Sequence, residues 1–445
     1  MVQNSLNQKN NAMKKQILML FLTILALNTR AQQVNGIMVL DTNNFHVIKV
    51  WGTAQERAYA QGYLIGDIAA QLLNGYMIPG LGNQYQTARD IILNGVDLTF
   101  DSVFVQEAMA FVEGYHASTP NPLYGDYVDL LIANSYMDIQ YLIFGKDIFN
   151  CSSLMNWGDA TAHTDLDGRS VITSHLDSYP INAILMASHA IVVNFPSEPN
   201  TQPWLYAHLA GGMTPKYGLN QYVGVFSQDM SDYNEPVIHG QGYLPYGYAL
   251  RKALETFDYN GDQEHNVMDV KAAIDDCSNG FAAAVLLSVL AATQPNDSLT
   301  AMVCEITGNA PTHTYRFNSY PDSIPGDNLY KAKYQIARKN AMNFCSRYNG
   351  IVNNIGNGTM IGVEENWNLM KNYSLQLTNI QAKQYAPEAD LLKMAIRTSP
   401  GVPAANTEPY VFSLEELFTH PYPTGTVEKD QKVGSSYPVV AVCPN

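Results

Sequence analysis

The hydrophobic period of this chain changes at Cys151, and that change limits the folds open to it. Before Cys151, apolar residues recur every three or four positions, the spacing of one face of a helix. From Thr53 to Met77 the apolar side is Ala54, Tyr59, Tyr63, Ile65, Ile68 and Leu72, with Gly62 and Gly66 four apart. Glycines at that spacing let a neighbouring backbone approach closely, although each weakens the helix by up to about 1 kcal/mol. Helical patterns near 101–116 and 124–143 follow. The segment 32–150 is therefore expected to be mostly helical.

After Cys151 the runs shorten and are bounded by Gly, Pro, Asn or Asp, which is how successive strands read. Strands are expected at 152–160, 170–176, 187–194, 204–209, 222–227, 283–290, 301–307, 313–318, 375–381 and 391–397. Helices at about 243–257, 267–277 and 328–346 interrupt them. No linker or repeat divides the chain, so antiparallel sheets covered by helices in one large α+β domain is the economical expectation.

The ends and the charge narrow the class further. Lys14 and Lys15 precede an apolar run from Ile17 to Leu27, about half the length that spans a bilayer. Thr29 and Ala31 suit cleavage before Gln32, so residues 1–31 read as a secretory signal and Met13 as a candidate start. A secreted or periplasmic protein with no integral membrane segment after signal removal is expected, the run Phe281–Ala292 being a buried strand or helix. A net charge of −15 argues against nucleic acid as a partner, because phosphates would be repelled. Five cysteines, an odd number in a compartment where thiols pair, leave at least one to stay reduced or do chemistry. Cys304, inside the apolar run Ala301–Ile306, reads as an inert buried thiol.

Cys151 reads differently. Asp167-Gly168 is a hairpin signal, so 151–161 and 170–177 are expected to pair and to bring His175 and Asp177 near the thiol. Papain-type chemistry wants the thiol at a helix start, and a zinc site wants paired ligands that the scattered ten histidines do not supply. The remaining reading makes Cys151 the first residue of a processed chain. Its freed α-amine would be a base with an ordinary pKa of about 7.7–8.0.

The run Cys-Ser-Ser-Leu-Met-Asn-Trp-Gly-Asp-Ala-Thr, then Asp-Gly-Arg, then Ser-His-Leu-Asp resembles the nucleophile hairpin of the acyl-coenzyme A:6-aminopenicillanate acyltransferase-like peptidases. These are N-terminal-nucleophile hydrolases related to choloylglycine hydrolases and acid ceramidases, and more distantly the run resembles phospholipase B-like proteins. Gln55–Gly66, Gly218–Ser227 and Arg316-Phe-Asn-Ser follow in the family's order, so the resemblance spans roughly 50–420. It implies a four-layer α-β-β-α sandwich of two antiparallel sheets, with 32–150 as the propeptide and 151–445 as the chain carrying the sandwich. It implies Cys151 as nucleophile and self-cleaving residue, Asp177 as the group holding its α-amine, Asn318 at the oxyanion and Arg338 as a helical arginine near the site. No cofactor is required, and the substrate implied is a small acyl amide or peptide. Two departures stand out. Ser174-His175 replaces the family's Arg-Asn, leaving His175 to supply part of the positive charge near the thiol, and Asn150 replaces a small residue before it.

Two other classes compete: a lipid-ester hydrolase of phospholipase B-like type, and a non-enzymatic calcium-dependent surface module. The module would rest on Asp258, Asn260, Asp262 and Asp269, which match positions 1, 3, 5 and 12 of a calcium loop, although position 6 is Gln263. The plainer reading is a polar loop with Asn266 and Asp269 capping the next helix. The calcium reading predicts that adding calcium raises the thermal midpoint and that Asp258→Ala abolishes the rise; no shift in either protein counts against it.

Overall fold

The computed structural model of the chain describes residues 33–421 except 121, 123–125, 146–148, 230–235, 294–298, 311, 318–329, 334–335, 340–345 and 356–359. The expected signal segment 1–31 and Asn318 lie outside the described residues, as do Cys345 and Cys443. A first unit, Met1–Val34, is almost wholly outside them; the second, Asn35–Asn445, holds every element below.

Two sheets form the frame. In chain order the strands are β1 (Gly36–Asp41), β2 (Phe45–Gly52), β3 (Phe149–Asn156), β4 (Val171–Ser178), β5 (His189–Pro196), β6 (Trp204–Leu209), β7 (Tyr217–Asn220) and β8 (Val223–Asp229). They continue as β9 (Val285–Ala291), β10 (Ala301–Ile306), β11 (His313–Phe317), β12 (Tyr330–Lys333), β13 (Ile336–Lys339), β14 (Asn379–Ala386), β15 (Leu391–Ile396) and β16 (Tyr410–Ser413). The nine-stranded sheet runs β1-β2-β5-β6-β7-β8-β9-β10-β11 and the seven-stranded sheet β12-β13-β3-β4-β14-β15-β16. Every described pairing is antiparallel except β2 with β5.

The sheets face each other. Ser153 of β3 lies 2.6 Å from Ser288 of β9 and accepts from Gln228 of β8. Gln381 of β14 reaches His189 of β5 at 2.8 Å. Covered on both faces, β9 is buried along its whole length, which is why Phe281–Ala292 reads as an unbroken apolar run.

Helices cover the outer faces. α1 (Ala54–Leu72) begins with a capping box between Thr53 and Glu56 and lies against β1 and β2. α2 (Ser102–Ser118) crosses it, and the glycine spacing explains how: a Cβ on Gly62 would collide with the Phe111 carbonyl oxygen, and one on Gly114 with that of Tyr59. α3 (Tyr127–Asn134), capped by Asp126, and α4 (Tyr136–Phe144) are separated at Ser135, where one helix was expected. α5 (Tyr246–Glu255) and α6 (Val267–Asp275) also pack on the nine-stranded sheet. On the other sheet, α7 (Ser346–Asn354) packs on α8 (Val363–Tyr373), and α8 lies on β3 and β4. There Asn366 donates to the Leu154 carbonyl at 3.2 Å and to Asn156 at 2.6 Å.

Several sequence expectations are corrected. The helix expected at 328–346 is, where described, the strand pair β12–β13 followed by a helix that starts at Ser346. The open edge of β3 takes up Ile336–Arg338, so a tertiary partner overrides local spacing. The strand expected at 375–381 lies at Asn379–Ala386. β3 and β4 pair over 149–156 and 171–178, not 151–161 and 170–177. Residues Gly158–Ala160 turn away as a 3-10 segment, while Asp167 and Gly168 do take left-handed φ values of 48° and 86°. Segment 32–150 is helical but also supplies β1 and β2.

Gly62→Ala gains helix propensity yet meets backbone that cannot rotate away. We expect a net loss of roughly 1–3 kcal/mol, the usual cost of overpacking, read as a lower urea midpoint; an unchanged midpoint contradicts the close crossing.

Candidate active site

The register of β3 on β4 decides which side chains meet. Cys151 stands opposite Leu176, Ser152 opposite His175 and Asn150 opposite Asp177. Opposed residues share a face, and successive residues alternate. Cys151 and Ser153 therefore point between the sheets, and Ser152, His175 and Asp177 point to the helices. Two contacts fix the assignment: Ser153 bonds Ser288 of the other sheet, and Ser152 bonds Ser374 at the end of α8, 2.7 Å away.

This corrects the expectation that the hairpin gathers thiol, imidazole and carboxylate in one cluster. His175 is fully buried on the far face, and among the described residues neither ring nitrogen has a hydrogen-bond partner. Burial first, then the charges of Arg347 and Lys383, push its pKa down to about 3. The ring is neutral at ordinary pH and does not supply the positive charge assigned to it from the sequence.

Asp177 keeps a link to Cys151 through a residue the sequence did not single out. Arg347 of α7 lies 3.1 Å from the Asp177 carboxylate, and the same guanidinium donates to the Cys151 carbonyl at 2.8 Å. Arg338, expected on a helix, is on β13 opposite Leu154, and its side chain lies outside the described residues. Arg347 sits in the polar run Ser346-Arg-Tyr-Asn349, and no spacing there marks it.

On the inner face Cys151 lines a cavity of about 50 Å³ that is partly open to solvent. The walls are mostly apolar: Leu72 and Leu73 at the end of α1, then Met77, Leu130 of α3 and Met137 of α4, with Leu176 beside the thiol. Polar groups enter from the nine-stranded sheet, from His208, Lys216, Tyr217 and Gln228, and from the helices at Asn134 and Tyr136. Tyr217 is buried and donates its hydroxyl to Cys151 Sγ at 2.8 Å. Burial, then the thiol beside it, holds the phenol well above its ordinary pKa.

Lys383 of β14 completes the group. It stands opposite Ser174, which stands opposite Ser153, so it shares the inner face one row from Cys151. Its Nζ lies 3.8 Å from the centroid of the Tyr217 ring. The side chain is 1% exposed, and among the described residues Nζ has no hydrogen-bond partner. Burial brings its pKa down to about 7, and Cys151 opposes that shift. A charged residue inside a fully buried strand is the signal that marks it, but with the strand expected to end at 381 the lysine fell outside.

The proposed calcium ligands are turned to their own loop. Asp258 accepts from the Gln263 N–H, Asn260 from that of Asp262 and Asp262 from that of Glu264, at 2.9, 3.1 and 2.8 Å. Asp269 accepts from Tyr259 at 2.7 Å and closes the capping box with Asn266. Gln263 takes φ 67°, the left-handed geometry for which glycine is the usual choice. Among the described residues no group of three or more His, Cys, Asp or Glu side chains is placed to hold a metal ion.

No protein-family model matches the chain, and no curated protein does. Among solved structures it is similar to penicillin V acylase from Agrobacterium tumefaciens, at a TM-score of 0.27 and 8% identity over 60% of this chain and 79% of that one. A superposition that loose carries no argument about activity.

Asp138 of α4 is buried close to Lys216, and burial raises its pKa from 3.8 to about 7 despite that lysine. The folded state holds a proton that the unfolded chain releases, so stability falls as pH rises through that window. Asp138→Asn is expected to flatten the decline of the thermal midpoint between pH 4 and 7; an unaltered decline contradicts the assignment.

Proposed function

We propose that the chain is an exported N-terminal-nucleophile hydrolase, cut between Asn150 and Cys151, that cleaves C–N bonds of a small acyl amide or peptide, or transfers the acyl group. The observation that carries the proposal is the position of Cys151. Its thiol opens on an apolar cavity beside a tyrosine hydroxyl, while its carbonyl is held by the arginine that faces Asp177. Two facing sheets with helices outside are compatible with the sandwich that the sequence resemblance implies.

The chemistry runs in two rounds. The Cys151 thiolate attacks the Asn150 carbonyl, the C–N bond breaks to leave a thioester and an α-amine, and water releases residues up to Asn150 as a carboxylate. The described pairing of β13 covers only Leu154–Asn156 of β3, so on that side the bond to be cut lies beyond it. In the second round the new α-amine takes the thiol proton, the thiolate attacks the substrate carbonyl, and Asn318 stabilises the oxyanion. Asp177 holds the α-amine, a role that requires it to share or exchange its Arg347 contact once that amine exists. The released chain stays in place, since α1, α3 and α4 wall the cavity.

The apolar walls also favour a second substrate class, lipid esters, acted on by the same nucleophile; a panel of amide, ester and lipid substrates separates the two. The first test is N-terminal sequencing and a denaturing gel of wild type and Cys151→Ala. Wild type is expected as two fragments, the heavier beginning Cys-Ser-Ser, and the variant as one band. A single wild-type band rules out the processing.

A further inference from the structure

The α-amine of Cys151 cannot be the base for the reaction that creates it, so the first round needs another proton acceptor. We propose that Lys383 is that acceptor, taking the Cys151 thiol proton in the uncut chain and returning it to the departing amine. This rests on the reading of Cys151 as a self-cleaving nucleophile.

Geometry carries the assignment. Lys383 and Cys151 stand on the inner face of the same sheet in adjacent rows, with β4 between them. Tyr217 of the facing sheet touches both, its hydroxyl on Sγ at 2.8 Å and its ring against Nζ at 3.8 Å. The other titratable and charged groups around the pair are His175 and Asp177 on β4, His189 on β5, His208 on β6, Lys216 before β7, Tyr246 on α5 and Arg347 on α7. Burial first, with nearby cations adding to it, keeps the three imidazole rings neutral. Asp177 lies on the far face against Arg347, so none of these groups offers Lys383 a negative charge on the inner face. Cys151 is the group whose charge favours its protonated form. Burial in turn makes the neutral amine available near neutral pH, where an exposed lysine would be charged.

The step balances. Among the described residues no hydrogen bond joins Sγ and Nζ, so the lysine stem must swing Nζ from the Tyr217 ring to the sulfur. The proton then leaves Sγ and ends on Nζ, and the thiolate keeps the Tyr217 O–H bond. Its electron pair forms the S–C bond to the Asn150 carbonyl; the C–N pair goes to the Cys151 nitrogen, which takes a proton from Nζ. Lys383 is neutral again, and no oxidant or metal is consumed.

The test is residue-resolved alkylation by iodoacetamide across pH, read by mass spectrometry at Cys151 in wild type, Lys383→Met and Tyr217→Phe. Lys383→Met removes a buried amine without changing the shape of the stem, so it should fold; equal thermal midpoints check that. We expect Cys151 alkylation in Lys383→Met to fall roughly tenfold at pH 7, as for one pKa unit from a lost neighbouring charge, and to recover by pH 10. Tyr217→Phe is expected to slow it less, since only the hydrogen bond to sulfur is lost. Equal rates at pH 7, or equal slowing at pH 7 and pH 10, overturn the role of the lysine. If no variant is ever cut but the pH-dependent loss is seen, the self-cleavage reading fails and the thiol–lysine coupling stands. If wild type and Lys383→Met are cut and alkylated alike, self-cleavage stands and the lysine is excluded.

Discussion

Pairing of β3 with β4 in the register that sets Cys151 against Leu176 is the contact on which the site depends. A slip of one residue would turn every side chain of β3 to the opposite face and exchange the thiol with Ser152. The register is held from both faces, by Ser153 on Ser288 inside and by Asn366 on Leu154 and Asn156 outside. Each bond joins buried polar groups, so losing one partner strands the other at a cost of about 1–3 kcal/mol. The polar residues inside this sheet thus specify an alignment that apolar packing alone would leave less certain.

Two kinds of buried cation illustrate how environment separates structure from chemistry. Arg251 is 4% exposed but bonds both Glu107 and Glu255, and Arg57 pairs with Glu198 and Glu255. Their charges are compensated, and guanidinium groups stay protonated in any case, so they brace the layer of α1, α2 and α5. Lys383 is as deeply buried, yet among the described residues its Nζ meets a tyrosine ring and no hydrogen-bond acceptor. A lysine in such a place gives up its proton easily, and its strongest electrostatic partner is a thiol able to supply one.

What the sequence disclosed follows from which interactions are local. The glycines four apart on α1, the cap of α6 by Asn266 and Asp269, and most strands of the nine-stranded sheet depend on neighbours within a few residues. The position of Cys151 on a strand paired with the one carrying Asp177 was legible as well, but which face each side chain takes was not. That depends on register, and a long connection over 157–170 replaced the tight turn that would have set it. Arg347 and Lys383 reach the site from α7 and β14, far along the chain, where nothing in their own neighbourhood announces the contact. The segment 330–339 read as helix because its apolar spacing suits one, and β3's unpaired edge made it a strand.

The central claim is that Cys151 becomes a chain-starting nucleophile. The most direct measurement is mass spectrometry of purified protein quenched in acid during turnover of an N-acyl amide. The account predicts the acyl group as a thioester on a peptide whose first residue is Cys151. Acylation at another residue, or recovery of Cys151 only in peptides continuous with Asn150, would contradict it.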